Sequence, residues 1–226
     1  MKEHSKRYKE SAKQVDKEKI YQLKEAIVCL KKMAPVKFDS SVDLHFHLLV
    51  DTKKSDQMVR GTVILPHGSG KKVRVAVFCK GEHERIARGA NADHVGGLEL
   101  IEKVAGGFLD FDCAISTPEM MKDLSKLGKV LGPRGLMPSP KTGTVTNDIL
   151  KAIEDVKRGK VEFRVDKQGG VHLAVGKLSF AEDKLYDNAS RVIEALTEAR
   201  PASVKGKFIT SLSITSSMSP GLRLTI

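Results

Sequence analysis

VRVAVFCKGEHERIARGANADHVGGLELIEKVAGGFLDFDCAIS, Val73–Ser116, is the stretch on which the fold turns. It opens on an apolar run, Val73 to Phe78, and closes on another, Asp112 to Ser116, with Leu98, Ile101 and Val104 at helical steps between them. Two strands joined through a helix need a crossover connection, which makes them parallel. Glu82-His83-Glu84-Arg85 reads as a charged helix start, its glutamates suited to the positive end of the helix dipole. Pro118 suits the first turn of a further helix, and strand-helix alternation continues to Ile153. The segment is therefore expected to fold as parallel βαβ units.

The flanks have a different rhythm. Upstream, Ile20, Leu23, Ile27 and Leu30 recur at three- and four-residue steps, the spacing of an amphipathic helix bounded by Pro35. Val42, Leu44, Phe46, Leu48 and Val50 then alternate with Asp43, His45 and His47, the period of a half-buried strand, and Gly61 to Leu65 reads as a second strand. Downstream of a helix ending near Gly159 come strand Val161–Val165, a Gly169-Gly170 turn, strand Val171–Val175, a long helix from about Glu182 and a last strand. The order α+β, then α/β, then α+β suggests one domain inserted into another. Residues 1 to 19, with seven Lys or Arg, His4 and four acids, read as a basic tail.

The bulk numbers bound the function. The 226 residues, 40% of them hydrophobic, suffice for one large or two ordinary cores. With 5% aromatic residues and no Trp, those cores rest on aliphatic side chains and base-stacking platforms are few. Lys and Arg number 39 against 28 acids, a net charge of +11, which points to nucleic acid, an anionic membrane or an acidic partner. No apolar run reaches the roughly 18 residues of a membrane span, and no signal-peptide hydrophobic region follows the N-terminus. Cys29, Cys79 and Cys113 are widely spaced and odd in number, so neither a disulfide framework nor a CxxC knuckle is encoded.

Enzymatic motifs are largely absent. Gly70-Lys71 is followed by Lys72 and lacks the first glycine of a phosphate-binding loop, and no G-x-G-x-x-G follows Val73 to Phe78. His45 and His47 share a strand face without a third ligand at metal-site spacing, so no metal or other cofactor is expected.

Two stretches do carry binding chemistry. KLGKVLGPRGLMPSPKTGTV, Lys126–Val145, holds four glycines, three prolines, four basic residues and no acid. Gly128, Gly132, Gly135 and Gly143 permit positive φ while Pro133, Pro138 and Pro140 fix φ and remove donors, so a cationic loop rather than a helix is expected there. Lys129, Arg134 and Lys141 are its candidate contacts. In ITSLSITSSMS, Ile209–Ser219, alternation sets Leu212 and Ile214 on one face and Ser211, Ser213 and Thr215 on the other. Hydroxyls donate and accept, so such a row can meet phosphate oxygens and ribose 2′-hydroxyls without burying charge. No acid occurs from Ala199 to Ile226, whereas Arg200, Lys205, Lys207 and Arg223 do. Arg164 and His172 alternate away from the core on either side of Lys167, in the turn Asp166 to Gly170.

LGKVLGPRGLMPSPKTGTV resembles the signature of the ribosomal protein L-one family, the mobile-stalk protein of the large ribosomal subunit. The likeness extends through VKFDSSVDLHFHLLVDTKKSDQMVRGTVILPHGSGKKVRVAVF (Val36–Phe78), GGLELIEKV from Gly96, FDCAISTPEMM from Phe111 and TSSMSP (Thr215–Pro220). Length and the SDQMVRGTVILPHG wording are most similar to the bacterial branch. The resemblance implies a discontinuous α+β domain of split β-α-β type, residues 1–68 and 160–226, with an inserted doubly wound, Rossmann-like α/β domain at 69–159. It further implies that Lys37, Phe38 and Asp39, with Ser216, Ser217, Met218 and Ser219, form an rRNA-binding surface to which Ser41 and the hydroxyl row belong. Implied partners are large-subunit rRNA, exit-site tRNA and the mRNA of the protein's own operon, whose translation bacterial members repress; a monomer without membrane association is expected.

One residue departs from the pattern: the family has glycine where Ser219 stands. Serine tolerates positive φ poorly, so either the turn here is not left-handed at 219 or Pro220-Gly221 compensates. The competing reading is an α/β enzyme that binds a nucleotide or phosphorylated substrate through the Gly/Pro loop.

Overall fold

The computed structural model describes residues 5–16, 18–33, 36–204 and 206–225, a mixed α/β chain. It divides into two compact units, residues 1–70 with 161–226, and residues 71–160. His4, Pro35 and Lys205 lie outside the described residues.

The first unit begins with α1 (Lys6–Lys13), α2 (Leu23–Met33), β1 (Ser41–Leu48) and β2 (Arg60–Ile64). Where the sequence suggests a tail, α1 forms because Ser5 accepts the Tyr8 amide as an N-cap and Lys13 lies at the negative end of the dipole. Ser11 on α1 and Val15 just beyond it are buried. In α2 the spacing of Ala26, Ile27, Leu30 and Met33 gives one buried stripe. Ile20, expected on that stripe, is 62% exposed. Tyr21 exchanges backbone hydrogen bonds with Arg223 and Thr225 instead, bridging to Leu224, so the chain is extended until α2 starts.

The second unit holds β3 (Val75–Phe78), α3 (Glu82–Gly89), β4 (His94–Gly96), α4 (Leu98–Ala105), β5 (Cys113–Ser116), α5 (Met121–Leu124), α6 (Gly128–Leu131) and α7 (Ile149–Lys157). Its sheet is parallel, in the order β4-β3-β5. Alternation along β3 and β5 splits two cores. Ala76, Phe78 and Ala114 pack with α4, Leu124, Leu127 and Leu131, while Val75, Val77 and Ile115 pack with Ala87 of α3 and Ile149, Ile153 and Val156 of α7. Asp112 at the entry to β5 is ion-paired to Lys71 and Arg74, and the Lys71 ammonium together with the Arg74 amide lowers its pKa to about 2. A depressed carboxylate stabilises the fold above its unfolded value and loses that contribution as pH falls through about 2. Asp112→Asn is therefore expected to flatten the acid side of the stability curve between about pH 4 and pH 2, read by urea midpoints across that range.

The chain returns to the first unit through β6 (Lys160–Arg164), β7 (Gly170–Lys177), α8 (Glu182–Glu198), β8 (Ile209–Ser216) and β9 (Leu222–Arg223). The main sheet is antiparallel in the order β7-β1-β8-β9, so β1 and β8 are interior. One face carries Val42, Leu44, Phe46, Leu48, Leu173, Leu212 and Ile214, which share a core with residues of α2 and α8. β6 and β7, expected as a simple hairpin, diverge: β6 pairs with β2 in a separate two-stranded sheet and β7 with β1. The Asp166 carboxylate folds the turn by accepting the amides of Gln168 and Gly170, and Gly169, at φ 84°, passes its carbonyl to the Leu48 amide.

Asn188, a polar residue fully buried on α8, fixes the last loop of this unit before residue 71. Its Nδ2 donates to the carbonyls of Gly68 and Val175 and its Oδ1 accepts the His67 amide. Asn188→Ala orphans these groups and is expected to cost about 2–3 kcal/mol, measured as a lowered denaturant midpoint with an unchanged m value.

Candidate nucleic-acid interface

The sheet face opposite the core is mostly polar by alternation, with exposed Ala174 on β7 opposite Asp43. Across β7, β1 and β8 the register sets His172 beside His45 and His45 beside Ser213, with Asp43 next to Thr215, and His47 next to Ser211. A bulge between His47 and Leu48, taken up at Thr210, keeps both halves of β8 in register with the core. His45 Nδ1 lies 2.9 Å from His172 Nδ1, and its Nε2 lies 2.9 Å from the Thr215 hydroxyl. Ser213 pairs with Arg223 on β9.

At one end of this face the strand ends converge. The Ser217 amide donates to the Ser41 carbonyl at 3.0 Å, and the Lys177 ammonium donates to the Ser41 hydroxyl at 2.9 Å. Lys37 and Phe38 precede β1 there; Phe38 is 56% exposed and Met218, in the turn after β8, is 62% exposed. Phe38 borders a shallow groove of ≈ 390 Å³ with Lys31, Leu178 and Ser179. Asp39 is a brace: its carboxylate accepts the amide and hydroxyl of Ser179.

The left-handed residue of the Ser216–Ser219 turn is Met218, at φ 67°, and not Ser219. The Ser219 amide closes the turn on the Ser216 carbonyl, and its hydroxyl accepts the Ser216 amide at 2.9 Å while donating to the Pro220 carbonyl. A non-glycine residue at this position costs roughly 1–2 kcal/mol, so the turn spends stability to hold an exposed methionine outward. Ser219 thus serves where the family has glycine by supplying a side-chain clamp. Ser216, assigned to the contact row by its neighbours, points inward: it is 3% exposed and its hydroxyl has no partner, because residue 216 follows Leu212 and Ile214 in the alternation.

Other assigned residues separate. Lys167 is exposed in the Asp166–Gly170 turn, and its carbonyl accepts the Thr52 hydroxyl. Arg164 is exposed on β6 and belongs to the two-stranded sheet, not to the hydroxyl row. Arg200 braces its own loop by donating to the carbonyls of Val204 and Gly206. Lys129, Arg134 and Lys141 are exposed in the second unit. The Gly/Pro stretch holding them starts as helix α6, contrary to expectation. Gly128 and Gly132 are helical, and a Cβ on Gly132 would meet the Gly128 carbonyl at 2.5 Å; only Gly135 and Gly143 take positive φ. Beyond it, Ser139, Thr142 and Thr144 knot the loop with mutual hydrogen bonds.

Burial, then the neighbouring His172, lowers the His45 pKa. Burial raises that of Asp43 against the pull of His45 and Lys177. The amides of Gly170 and Gln168 lower that of Asp166. Burial pushes the Cys79 thiol up to about 11, the state of an inert core residue. Among the described residues no group of three His, Cys, Asp or Glu side chains could hold a metal ion, and no helix is long and apolar enough to cross a membrane.

An alternating face of hydroxyls and imidazoles, edged by exposed Phe38 and Met218 on a strongly basic chain, has the chemistry of a surface that can meet RNA. The model of the Ribosomal protein L1p/L10e family matches residues 30–220, and the chain belongs to that family: it is a ribosomal protein, not an enzyme. It is similar to the large ribosomal subunit protein uL1 of Fervidobacterium nodosum, 54% identical over 227 residues that cover 100% of this chain and 97% of the relative. The enzyme reading of the Gly/Pro loop is thereby set aside.

His45, weighed in the sequence only as a metal ligand, sits at the centre of this face between His172 and Thr215. Its outward direction is legible from alternation, but its partners on β7 and β8 depend on a register that only pairing reveals. For the turn, Ser219→Ala should cost about 1 kcal/mol, as loss of a side-chain cap does, with secondary structure intact by circular dichroism.

Proposed function

We propose that this protein is a constituent of the large subunit of the cytoplasmic ribosome and that the unit formed by residues 1–70 and 161–226 binds large-subunit rRNA at the base of the mobile stalk. The observation that carries the reading is the convergence of Phe38, Ser41, Ser217 and Met218 at the end of a hydroxyl row, with Met218 held in a strained backbone state. Strain of this kind is retained where a side chain must be presented. Phe38 offers a face for a ribose or base, Met218 fills a shallow groove, and Ser211, Ser213, Thr215 and Ser217 meet phosphate and 2′-hydroxyl oxygens. Lys37, Lys167, Arg164 and His172 supply the surrounding positive charge, and release of counterions adds affinity.

In the same reading the inserted unit is the part of the stalk that meets exit-site tRNA, through Lys129, Arg134 and Lys141. An mRNA fold that mimics the rRNA site competes for the same surface, which gives repression of the protein's own operon a simple physical basis.

The test is binding of a short RNA carrying the stalk-base helix and loop, against a scrambled duplex, at two salt concentrations. Preference for the native RNA by about 4 kcal/mol or more, persisting at higher salt, is expected. Phe38→Ala and Met218→Ala should each lose about 1–3 kcal/mol of it. Removing residues 132–141 should leave rRNA affinity nearly unchanged. Equal binding of both RNAs, with the variants without effect, would refute the assignment and leave bulk charge as the only attraction.

A further inference from the structure

Three side chains on the polar face form one hydrogen-bonded line that crosses three strands, Thr215 on β8, His45 on β1 and His172 on β7, and Asp166, in the turn before β7, stands at ion-pair distance from its end. The successive separations are 2.9 Å from Thr215 Oγ1 to His45 Nε2, 2.9 Å between the two Nδ1 atoms, and 3.7 Å from His172 Nε2 to Asp166 Oδ2. The two rings meet edge to face with centroids 5.0 Å apart.

Two imidazole nitrogens at hydrogen-bond distance must share a single proton, since two N–H groups or two lone pairs would repel. Assigning hydrogens from the partners orients the neutral line. Asp166, an ionised acceptor, draws the His172 proton to Nε2, which leaves the His172 Nδ1 lone pair to accept from His45 Nδ1–H. The remaining lone pair, on His45 Nε2, then accepts from the Thr215 hydroxyl. In this state Thr215 turns its proton inward and offers the outer side only an acceptor. One further proton has a single place to go, His45 Nε2. Its arrival makes His45 a cation and reverses the Thr215 hydrogen bond, so that the hydroxyl accepts from His45 and points its own proton outward.

We infer that Thr215, His45, His172 and Asp166 form a proton-linked subsite for a backbone phosphate of the bound RNA, taking up one proton as the phosphate docks on Thr215. The inference rests on the RNA-binding reading of this face. Without ligand the charged form of His45 is disfavoured by burial and then by His172. A phosphate laid over the face reverses that balance by adding a negative charge and an acceptor for the outward hydroxyl. The other charged groups on the surrounding elements are Asp43 and His47 on β1, Lys177 on β7, Arg223 on β9 and Lys167 in the turn. β8 contributes only hydroxyls beside Thr215. Of these groups Asp43 has its pKa raised by burial against the pull of His45 and Lys177, and His47, exposed, remains in every variant below.

The sign follows. Because binding takes up a proton, affinity rises as pH falls through the histidine range, by up to about tenfold per pH unit at full coupling. Isothermal titration of the stalk-base RNA at pH 6 in buffers of different ionisation enthalpy counts the proton directly, and a Kd series from pH 8 to pH 5.5 at constant salt gives the slope. The wild-type protein should take up close to one proton. His45→Gln, which keeps a polar group of similar size, should abolish the uptake and flatten the slope. Thr215→Val should remove the low-pH gain while circular dichroism stays native. Phe38→Ala should weaken binding at every pH and leave the uptake intact. Specific binding with no uptake, or with the same uptake in His45→Gln, overturns the proton linkage alone. Equal affinity for scrambled RNA with Phe38→Ala silent overturns the interface and the subsite with it.

Discussion

The first unit depends on the double pairing of β1. A strand hydrogen-bonded on both edges, to β7 and to β8, has no freedom of register, because a one-residue slip would turn Val42, Leu44, Phe46 and Leu48 out of the core and His45 and His47 into it. That cost fixes β8 relative to β7 although they are not neighbours. It also joins chain segments from far apart in the sequence, since β1 lies before the 71–160 unit and β7 and β8 after it. The two irregularities in the ladders, at Val42/Asp43 and at His47/Leu48, fall near the ends of β1, so the central stretch that carries His45 is regular on both sides.

Local costs concentrate at the end of the sheet where β1 begins and β8 finishes. Met218 takes a left-handed backbone, and the buried hydroxyls of Ser40 and Ser216 lack partners. Elsewhere buried polar groups are well provided for, as Asn188 illustrates with three hydrogen bonds. Asn91, at φ 58°, and the unpartnered buried Nδ1 of His83 break local rules singly; broken together, as here, they mark the place where, on the proposed reading, packing gives way to presenting side chains. Phe38 and Met218 are the side chains so presented, and few other aromatics are available in a chain with 5% of them.

Periodicity made much of this legible. Alternation from Val42 to Leu48 and from Ile209 to Thr215 sorts inward from outward residues, and the apolar run at β3 announces a strand buried on both faces. What stayed hidden required partners. β4 is three residues beside two glycines, too short for any period to register, and exists because β3 offers it an edge. α1 is polar enough to read as a tail until its Ser5 cap and buried Ser11 are seen. Ser216 enters the expected contact surface through the family's turn pattern, although its parity is that of buried Ile214. Of the two readings the sequence left open at Ser219, the turn takes the one that is not left-handed there, and that Met218 takes the left-handed position instead depends on how Ser219 closes back on Ser216, a contact between side chain and backbone that carries no periodic trace.

Charge and shape play separate parts in this molecule. A net charge of +11 attracts any polyanion, and that attraction weakens with salt in proportion to the counterions released. The proposed contact face adds little to it: the hydroxyls of β8 are neutral, Asp43 and Asp166 offset nearby cations, and burial, then His172, disfavours the charged form of His45. A face of this kind gains nothing from an arbitrary duplex and loses hydration on contact unless its donors and acceptors are matched. On the proposed reading, discrimination among RNAs rests on a surface where charge has been reduced, and the basic residues around it set the rate and strength of encounter without setting its specificity.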